Sequence, residues 1–329
     1  MIEILPVIKG ALTYVPILYD PRRFDSTGIV AARYCYSVWL RHLVSLHRRG
    51  IDCDTTVVAE LGPGPSLGVC IAAVLTGTER ALALDLVDFA RSAHNLQIAT
   101  EILDLLMNRA AIPDDREFPG MYPKLDDYRF PNDMLSDARM RVALAKSRVR
   151  QIMRSLDPSN EPSDTDMVEY RAPWYTDDVV RVGSVGLVIS QAVLEHVDEL
   201  GSTYDAMGRW LAPAAFASHV IDFRSHSLTK GWDGHLQYSP RLWRIVRGRR
   251  PYLLNRASPG QHLHRASAAG LSAVACERQI TTPSLARSRL AASFASWSDD
   301  DRCTSTMHLI LENTKRGFSG ATTESCASP

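Results

Sequence analysis

The chain has 329 residues, with 37 basic and 37 acidic side chains, no formal net charge, and 45% hydrophobic and 22% charged residues. These are globular proportions, and they exclude a disordered charged tail protein, a collagen-like fibre and a strongly basic nucleic-acid binder. The six cysteines form no CxxC pair and the first residues lack a basic start and cleavage site, so the expectation is a reduced, cytoplasmic protein with no membrane span.

The spacing of Ala32, Tyr36, Leu40 and Leu43 predicts a helix over 29–49, closed by basic residues and Gly50. Residues 1–55 therefore read as an N-terminal helical segment. The grammar then changes. A β-branched run at 56–61 leads into Gly62-Pro63-Gly64-Pro65-Ser66, a helix apolar on all sides at 67–75, and a strand at 81–84 ending at Asp85. This is a βαβ unit whose parallel strands are covered on both faces.

Residues 89–163 show no strand. Helical patterns at 95–110 and 134–155 flank a loop punctuated by Pro113, Pro119, Pro123 and Pro131. So long a connection reads as a helical insertion over the active edge of the sheet. Further buried strands are predicted at 167–170, 185–190, 217–223 and 307–312, with a helix over 193–210. The alternation implies an α/β fold with a mostly parallel sheet and helices on both faces. Residues 56–318 form its domain, and the Ser/Thr/Ala-rich end at 319–329 is expected to be disordered.

Gly62 and Gly64 let the backbone approach a ligand ahead of a helix N-terminus. Asp85, ending the second strand, suits the two hydroxyls of a ribose. A nicotinamide dinucleotide fits less well: its fingerprint needs glycine where Leu67 stands. Glu60, two residues before the turn, would repel a pyrophosphate and suits a cationic or zwitterionic ligand instead.

Val58-Ala59-Glu60-Leu61-Gly62-Pro63-Gly64 resembles the first motif of class I S-adenosylmethionine-dependent methyltransferases. Ala83-Leu84-Asp85-Leu86 resembles their ribose-binding strand, and Val185 to Val197 their fourth strand and its loop. Trp210-Leu211-Ala212-Pro213 is similar to the turn before their fifth strand. The resemblance covers about 57–222 and implies a seven-stranded Rossmann-like sheet. It implies S-adenosylmethionine as cofactor, with Glu60, Gly62, Pro63, Gly64 and Ser66 around the methionine part and Asp85 at the ribose. Leu86, Pro173 and Trp174 would border the adenine, and Ser190 and Gln191 the methionine or the acceptor. Three positions depart from the pattern: Ser66 replaces a glycine, Gly186 an acid, and Pro213-Ala214-Ala215 a Pro-Gly-Gly turn. Similar chains are linked with glycan or secondary metabolite biosynthesis.

Methyl transfer to a hydroxyl needs alignment and a proton acceptor. The densest candidates lie at the end of the fifth predicted strand. His226 is the expected base, Asp222 its orienting partner and His235 the competing base. No metal is expected, since Asp222, His226 and His235 match no zinc spacing. Arg241, Arg244, Arg247, Arg249, Arg250 and Arg256 form either a solvated basic helix or a contact for an anionic acceptor. Trp232, Tyr238, Trp243 and Tyr252 interleave with them as core or sugar-stacking rings. The expected partner is a small-molecule or glycan acceptor, with no nucleic acid, in a chain that could pair as a homodimer. The alternative function is a non-catalytic nucleoside-binding module.

Overall fold

The computed structural model describes residues 2–15, 31–88, 90, 94–161, 163, 165–174 and 179–315. The tail at 319–329, positions 29 and 30 of the first expected helix and Phe89 of the insertion lie outside the described residues. Among the described residues, no helix is long and apolar enough to cross a membrane.

Seven strands form one sheet: β1 (Val57–Leu61), β2 (Arg80–Leu84), β3 (Val168–Arg171), β4 (Val185–Gln191), β5 (Leu211–Asp222), β6 (Leu271–Ile280) and β7 (Thr304–Asn313). Their order is β3-β2-β1-β4-β5-β7-β6. The first five pair in parallel, whereas β7 runs antiparallel to both β5 and β6. The sheet is therefore mixed, its antiparallel pairings confined to β7.

The strands divide their side chains between two cores. Val58, Ala81, Ala83, Leu187 and Ile189 point to one layer; Ala59, Leu61, Leu82, Leu84 and Val188 point to the other. This is the period-two alternation of a sheet buried on both faces. The first layer contains α2 (Ala32–Arg48), α3 (Gly68–Leu75), α4 (His94–Met107), α5 (Asp137–Ala143) and α6 (Lys146–Leu156). The second is built on α7 (Leu200–Trp210) and α9 (Pro259–Ala268). Every residue of α3 is buried, which explains why its sequence is apolar on all sides; each such leucine or isoleucine contributes about 1.5–3 kcal/mol. A Cβ on Gly68 would lie 2.4 Å from Cys35 Sγ, so glycine is what lets α2 and α3 touch.

The remaining helices are α1 (Leu5–Leu12), α8 (Pro240–Arg247) and the short α10 (Asp299–Cys303). The closest approach of α1 is to α8, where Gly10 faces the Ile245 carbonyl.

The structure differs from the sequence reading in four places. The helix expected over 193–210 is interrupted: a single 3-10 turn at Leu194–His196 precedes α7. The helix expected over 134–155 is two, α5 and α6, broken at Leu144 and Ala145. β6 was not located in the sequence, although the resemblance implied seven strands. The helices between β2 and β3 pack with α2 and α3 on one face of the sheet; it is their connecting loop, through the Tyr122 carbonyl, that reaches Gln191 at the end of β4.

The chain leaves β1 toward β2 on one side and returns to β4 on the other. A crevice opens beyond the carboxyl ends of these strands, where open α/β sheets bind ligands.

Candidate functional site

A cavity of about 440 Å³ occupies this crevice, within the usual size of a small-molecule site. Its floor is the end of β1 and the turn from Glu60 to Ser66; its walls include Tyr34, Cys35 and Val38 of α2, Asp85 and Leu86 after β2, and Trp174 after β3. Gln191, Val193, His196, Thr203, His226 and Tyr252 complete the far side.

The turn owes its path to its glycines. Gly62 and Gly64 have φ of +65° and +67°, the left-handed region that side chains disfavour. At Gly62 a Cβ would also lie 2.6 Å from Val193 Cγ1. Asp85 bridges the two strand ends: Gly64 N–H donates to Oδ2 at 3.2 Å and Leu86 N–H to Oδ1 at 2.7 Å. Backbone donors satisfy it from one side, leaving the cavity side of the carboxylate for a ligand. Burial nevertheless pushes its pKa up.

Glu60 is 6% exposed. The Cys70 thiol donates to it, 3.3 Å from Oε2. Burial pushes its pKa up to about 8, against the opposing effect of Cys70. Among the described residues this carboxylate has no counterion, and the cavity is where one would arrive. Ser66 accepts from Gly68 N–H at 3.4 Å and contacts Cys35, so it serves the first turn of α3 in place of the glycine that the resemblance led one to expect.

Two expected cavity residues lie outside its wall. Ser190 is 1% exposed and is hydrogen-bonded to His219 Nδ1 at 2.8 Å. Neighbours along a strand point to opposite faces, so Gln191 reaches the cavity and Ser190 cannot. Pro173 is exposed beside Trp174, whose ring lies inside against Trp210 at 5.5 Å. Gly186 has a local reason: a Cβ there would sit 2.1 Å from the Asp54 carbonyl. Ala214 takes φ +59° where the family turn has glycine.

The histidines separate. His226, on the loop after β5 with φ +48°, lines the cavity and comes within 3.5 Å of Asp222 Oδ2 through Nε2. The Asp222 carboxylate is itself held by Arg224 at 2.8 and 2.6 Å, which keeps its pKa low despite burial. Burial lowers the His226 pKa while Asp222 opposes, so its imidazole is neutral and able to accept a proton. His196 packs edge-on against it, centroids 5.0 Å apart. His235 is placed elsewhere: it is buried in a 3-10 turn, Gly234–Gln237, tilted against Trp243, and is not part of this cavity. His235 and Asp222 line a small neighbouring pocket, and of the three only His226 lines the main cavity.

None of the six arginines enters the cavity wall. Arg247 pairs with Asp198. Arg256 is stacked between Trp243 and Phe294, 4.3 and 4.9 Å from the ring centroids, and donates to the Tyr238 carbonyl. An anion contact by these residues at this cavity is not what the structure builds. Tyr238 and Trp243 are core; Trp232 donates to the Thr282 carbonyl. Of the four aromatic residues, Tyr252 alone reaches the cavity. Tyr34, Val38, Thr203 and Val193 were missed, because α2 and α7 reach the site through tertiary packing that no local pattern encodes.

The sequence matches no protein-family model and no curated protein. Solved structures with a similar fold include an S-adenosylmethionine-dependent methyltransferase from Mesorhizobium loti (12% identity, 83% of this chain and 97% of that one, TM-score 0.41). Another is an S-adenosylmethionine-dependent methyltransferase from Methanosarcina mazei (8% identity, 79% and 93%, TM-score 0.41). A third is a phosphoethanolamine N-methyltransferase from Haemonchus contortus, in complex with phosphomonomethylethanolamine and S-adenosylhomocysteine (13% identity, 93% and 59%, TM-score 0.41).

Proposed function

We propose that the chain is an S-adenosylmethionine-dependent methyltransferase of class I type that methylates a hydroxyl of a sugar, glycan or other small metabolite. The observation that carries the reading is the pair of carboxylates across the glycine turn. Among the described residues Glu60 has no cation and Asp85 is satisfied by backbone from one side, and both line the same cavity. An ammonium group answers the first and a ribose diol the second. Leu86 and Trp174 supply apolar surface for a base beside the ribose.

When bound, S-adenosylmethionine supplies an activated sulfonium methyl. The chain's own work is alignment, exclusion of water and removal of the acceptor's proton. The enclosed walls of α2 and the loop after β4 serve the first two. A neutral imidazole at His226, steadied by Asp222, serves the third, a contribution typically of about 10²–10⁴-fold. A neutral acceptor suits this end of the cavity, where no arginine among the described residues lies in the wall.

Calorimetric titration with S-adenosylhomocysteine, with NAD as control, tests the pocket. One-to-one binding of the former alone is expected. Incubation with S-adenosylmethionine and hydroxylated sugars, read by mass increase of the acceptor, tests the reaction. Binding without transfer to any acceptor would favour a non-catalytic nucleoside-binding module, and NAD binding would overturn the cofactor assignment.

A further inference from the structure

Next to the far side of the cavity, in the wall of a small neighbouring pocket that Asp222 and His235 also line, is a carboxyl group that hydrogen bonding does not explain. Glu195, in the turn between β4 and α7, is 3% exposed, and neither of its carboxylate oxygens has a hydrogen-bond partner. An unpaired buried carboxyl is costly, and its neighbours do not relieve it. Arg224, the adjacent cation, is engaged by Asp222 through two bonds. What stands close is imidazole: His226 Nε2 is 3.9 Å from Oε1, and His196 follows directly in the chain. One ligand atom from each of Glu195, His196 and His226 lies within 4.8 Å of the others.

We infer that Glu195, His196 and His226 form a binding site for a divalent transition-metal ion at the acceptor end of the cavity. His196 is prepared for it. Its Nδ1 lies 2.7 Å from the Tyr252 carbonyl, so Nδ1 carries the proton and Nε2 keeps its lone pair, the arrangement that orients metal-binding histidines. Asp222 Oδ2, 3.5 Å from the same His226 Nε2, stands on the ion's side of that ring as a further carboxylate neighbour. Two imidazole nitrogens and one carboxylate oxygen select zinc or cobalt over magnesium and calcium, which prefer all-oxygen sets. Bond lengths near 2.0–2.2 Å put ligand atoms about 3.4 Å apart, so binding draws the three side chains together by small rotations.

His196 and His226 line the cavity, so the ion's open positions face the acceptor. The inference rests on the methyl-transfer reading for its role, and it changes the part given to His226. In the metal-loaded protein His226 is a ligand, and the cation makes the acceptor hydroxyl acidic. The proton passes to water, the oxygen forms its bond to the methyl carbon, and the carbon–sulfur bond breaks.

The test uses the full chain, freed of metal with a chelator, and titrates it with Zn²⁺ by calorimetry and with Co²⁺ by visible absorption. One ion per chain is expected, with a cobalt spectrum of low coordination number. Glu195→Gln is expected to weaken metal binding at least 100-fold while S-adenosylhomocysteine affinity stays within threefold. His226→Ala, at a less buried position, is the second variant and is expected to weaken metal binding likewise should Glu195→Gln fail to fold. Absence of stoichiometric metal binding, or undiminished binding in a folded variant, would overturn the site. Metal binding without S-adenosylhomocysteine binding would uphold the site and remove the methyl-transfer reading.

Discussion

At the scale of single residues, the glycine turn sets two carboxylates against one cavity for different reasons, and each supports its own test. Asp85 accepts from the backbone of Gly64 and Leu86, so its geometry is fixed before a ligand arrives. Hydrogen bonds to a charged group contribute about 1.5–3 kcal/mol. Asp85→Ala is therefore expected to weaken S-adenosylhomocysteine binding by about 10- to 100-fold, read by calorimetry; unchanged affinity would remove the ribose assignment. Glu60 supports a pH test. Burial raises its pKa to about 8, so below that pH the empty site carries a neutral carboxyl. An ammonium ligand prefers the ionised form, and binding must then expel a proton. Affinity is expected to rise with pH, approaching tenfold per unit well below pH 8, and to level off as pH passes 8. In Glu60→Gln it is expected to be weaker and flat over the same range. A flat profile in the native chain would separate Glu60 from the ammonium.

At the scale of elements, what was readable in the sequence depended on how locally each element is determined. β1, α3 and β2 were visible because a continuous apolar helix between two short apolar runs, joined by a glycine turn, has few other uses. Their ends carry Glu60, Gly62, Gly64 and Asp85, so that half of the candidate site was legible too. β6 was not. It lies at the sheet edge, with Ser272, Ala273, Val274, Cys276 and Ile280 exposed, and its sequence lacks the apolar alternation of a half-buried strand. The histidine end was only partly legible: β5 ends where expected, but the loop that turns His226 inward and His235 away is set by packing against Trp243 and Asp222. The contact of α1 with α8 was likewise invisible, and it can be tested. A Cβ on Gly10 would lie 2.0 Å from the Ile245 carbonyl and 2.3 Å from that of Val246, backbone atoms that yield poorly. Gly10→Ala is expected to cost about 1–3 kcal/mol and to expose residues 2–15 to limited proteolysis. S-adenosylhomocysteine affinity should stay unchanged, since α1 contributes nothing to the cavity wall. Intact protease resistance would show that α1 is not held by this contact.

At the scale of the whole molecule, four histidines of the core link the sheet to its stability against acid. His42, His219, His262 and His308 are fully buried. His42 and His308 share the Ser218 hydroxyl, at 2.7 and 2.9 Å, tying α2 to β5 and β7. His219 is bonded to Ser190 between β5 and β4, and His262 to Tyr204 between α9 and α7. Burial drives each pKa down to about 3. Their neutral forms belong to the fold, whereas in the unfolded chain each accepts a proton near pH 6.5. The unfolded state therefore binds more protons from about pH 6.5 down to pH 3, and stability must fall as pH falls through that window. At pH 5.5 each of these histidines costs roughly 1.3 kcal/mol relative to pH 7, so the four together cost about 5 kcal/mol, and His235 and His196, pushed down by burial to about 3 and about 4, add to the loss. Glu60 works in the opposite sense, because its raised pKa makes the folded state the better proton acceptor between pH 4.5 and 8. Glu195 and Asp85, also raised by burial, act in the same sense. The Glu60 effect accumulates evenly from pH 8 down to 4.5, so above pH 6.5 it meets little opposition from the histidines. Urea unfolding measured from pH 8.5 to 5 is thus expected to show a shallow maximum near neutrality and a steep decline below pH 6.5. His262→Gln should lessen that slope, whatever its effect on stability at pH 7. A stability curve that stays level from pH 7 to 5.5 would mean that these four imidazoles do not enter the folded state neutral, and that the polar links across the sheet are not those described.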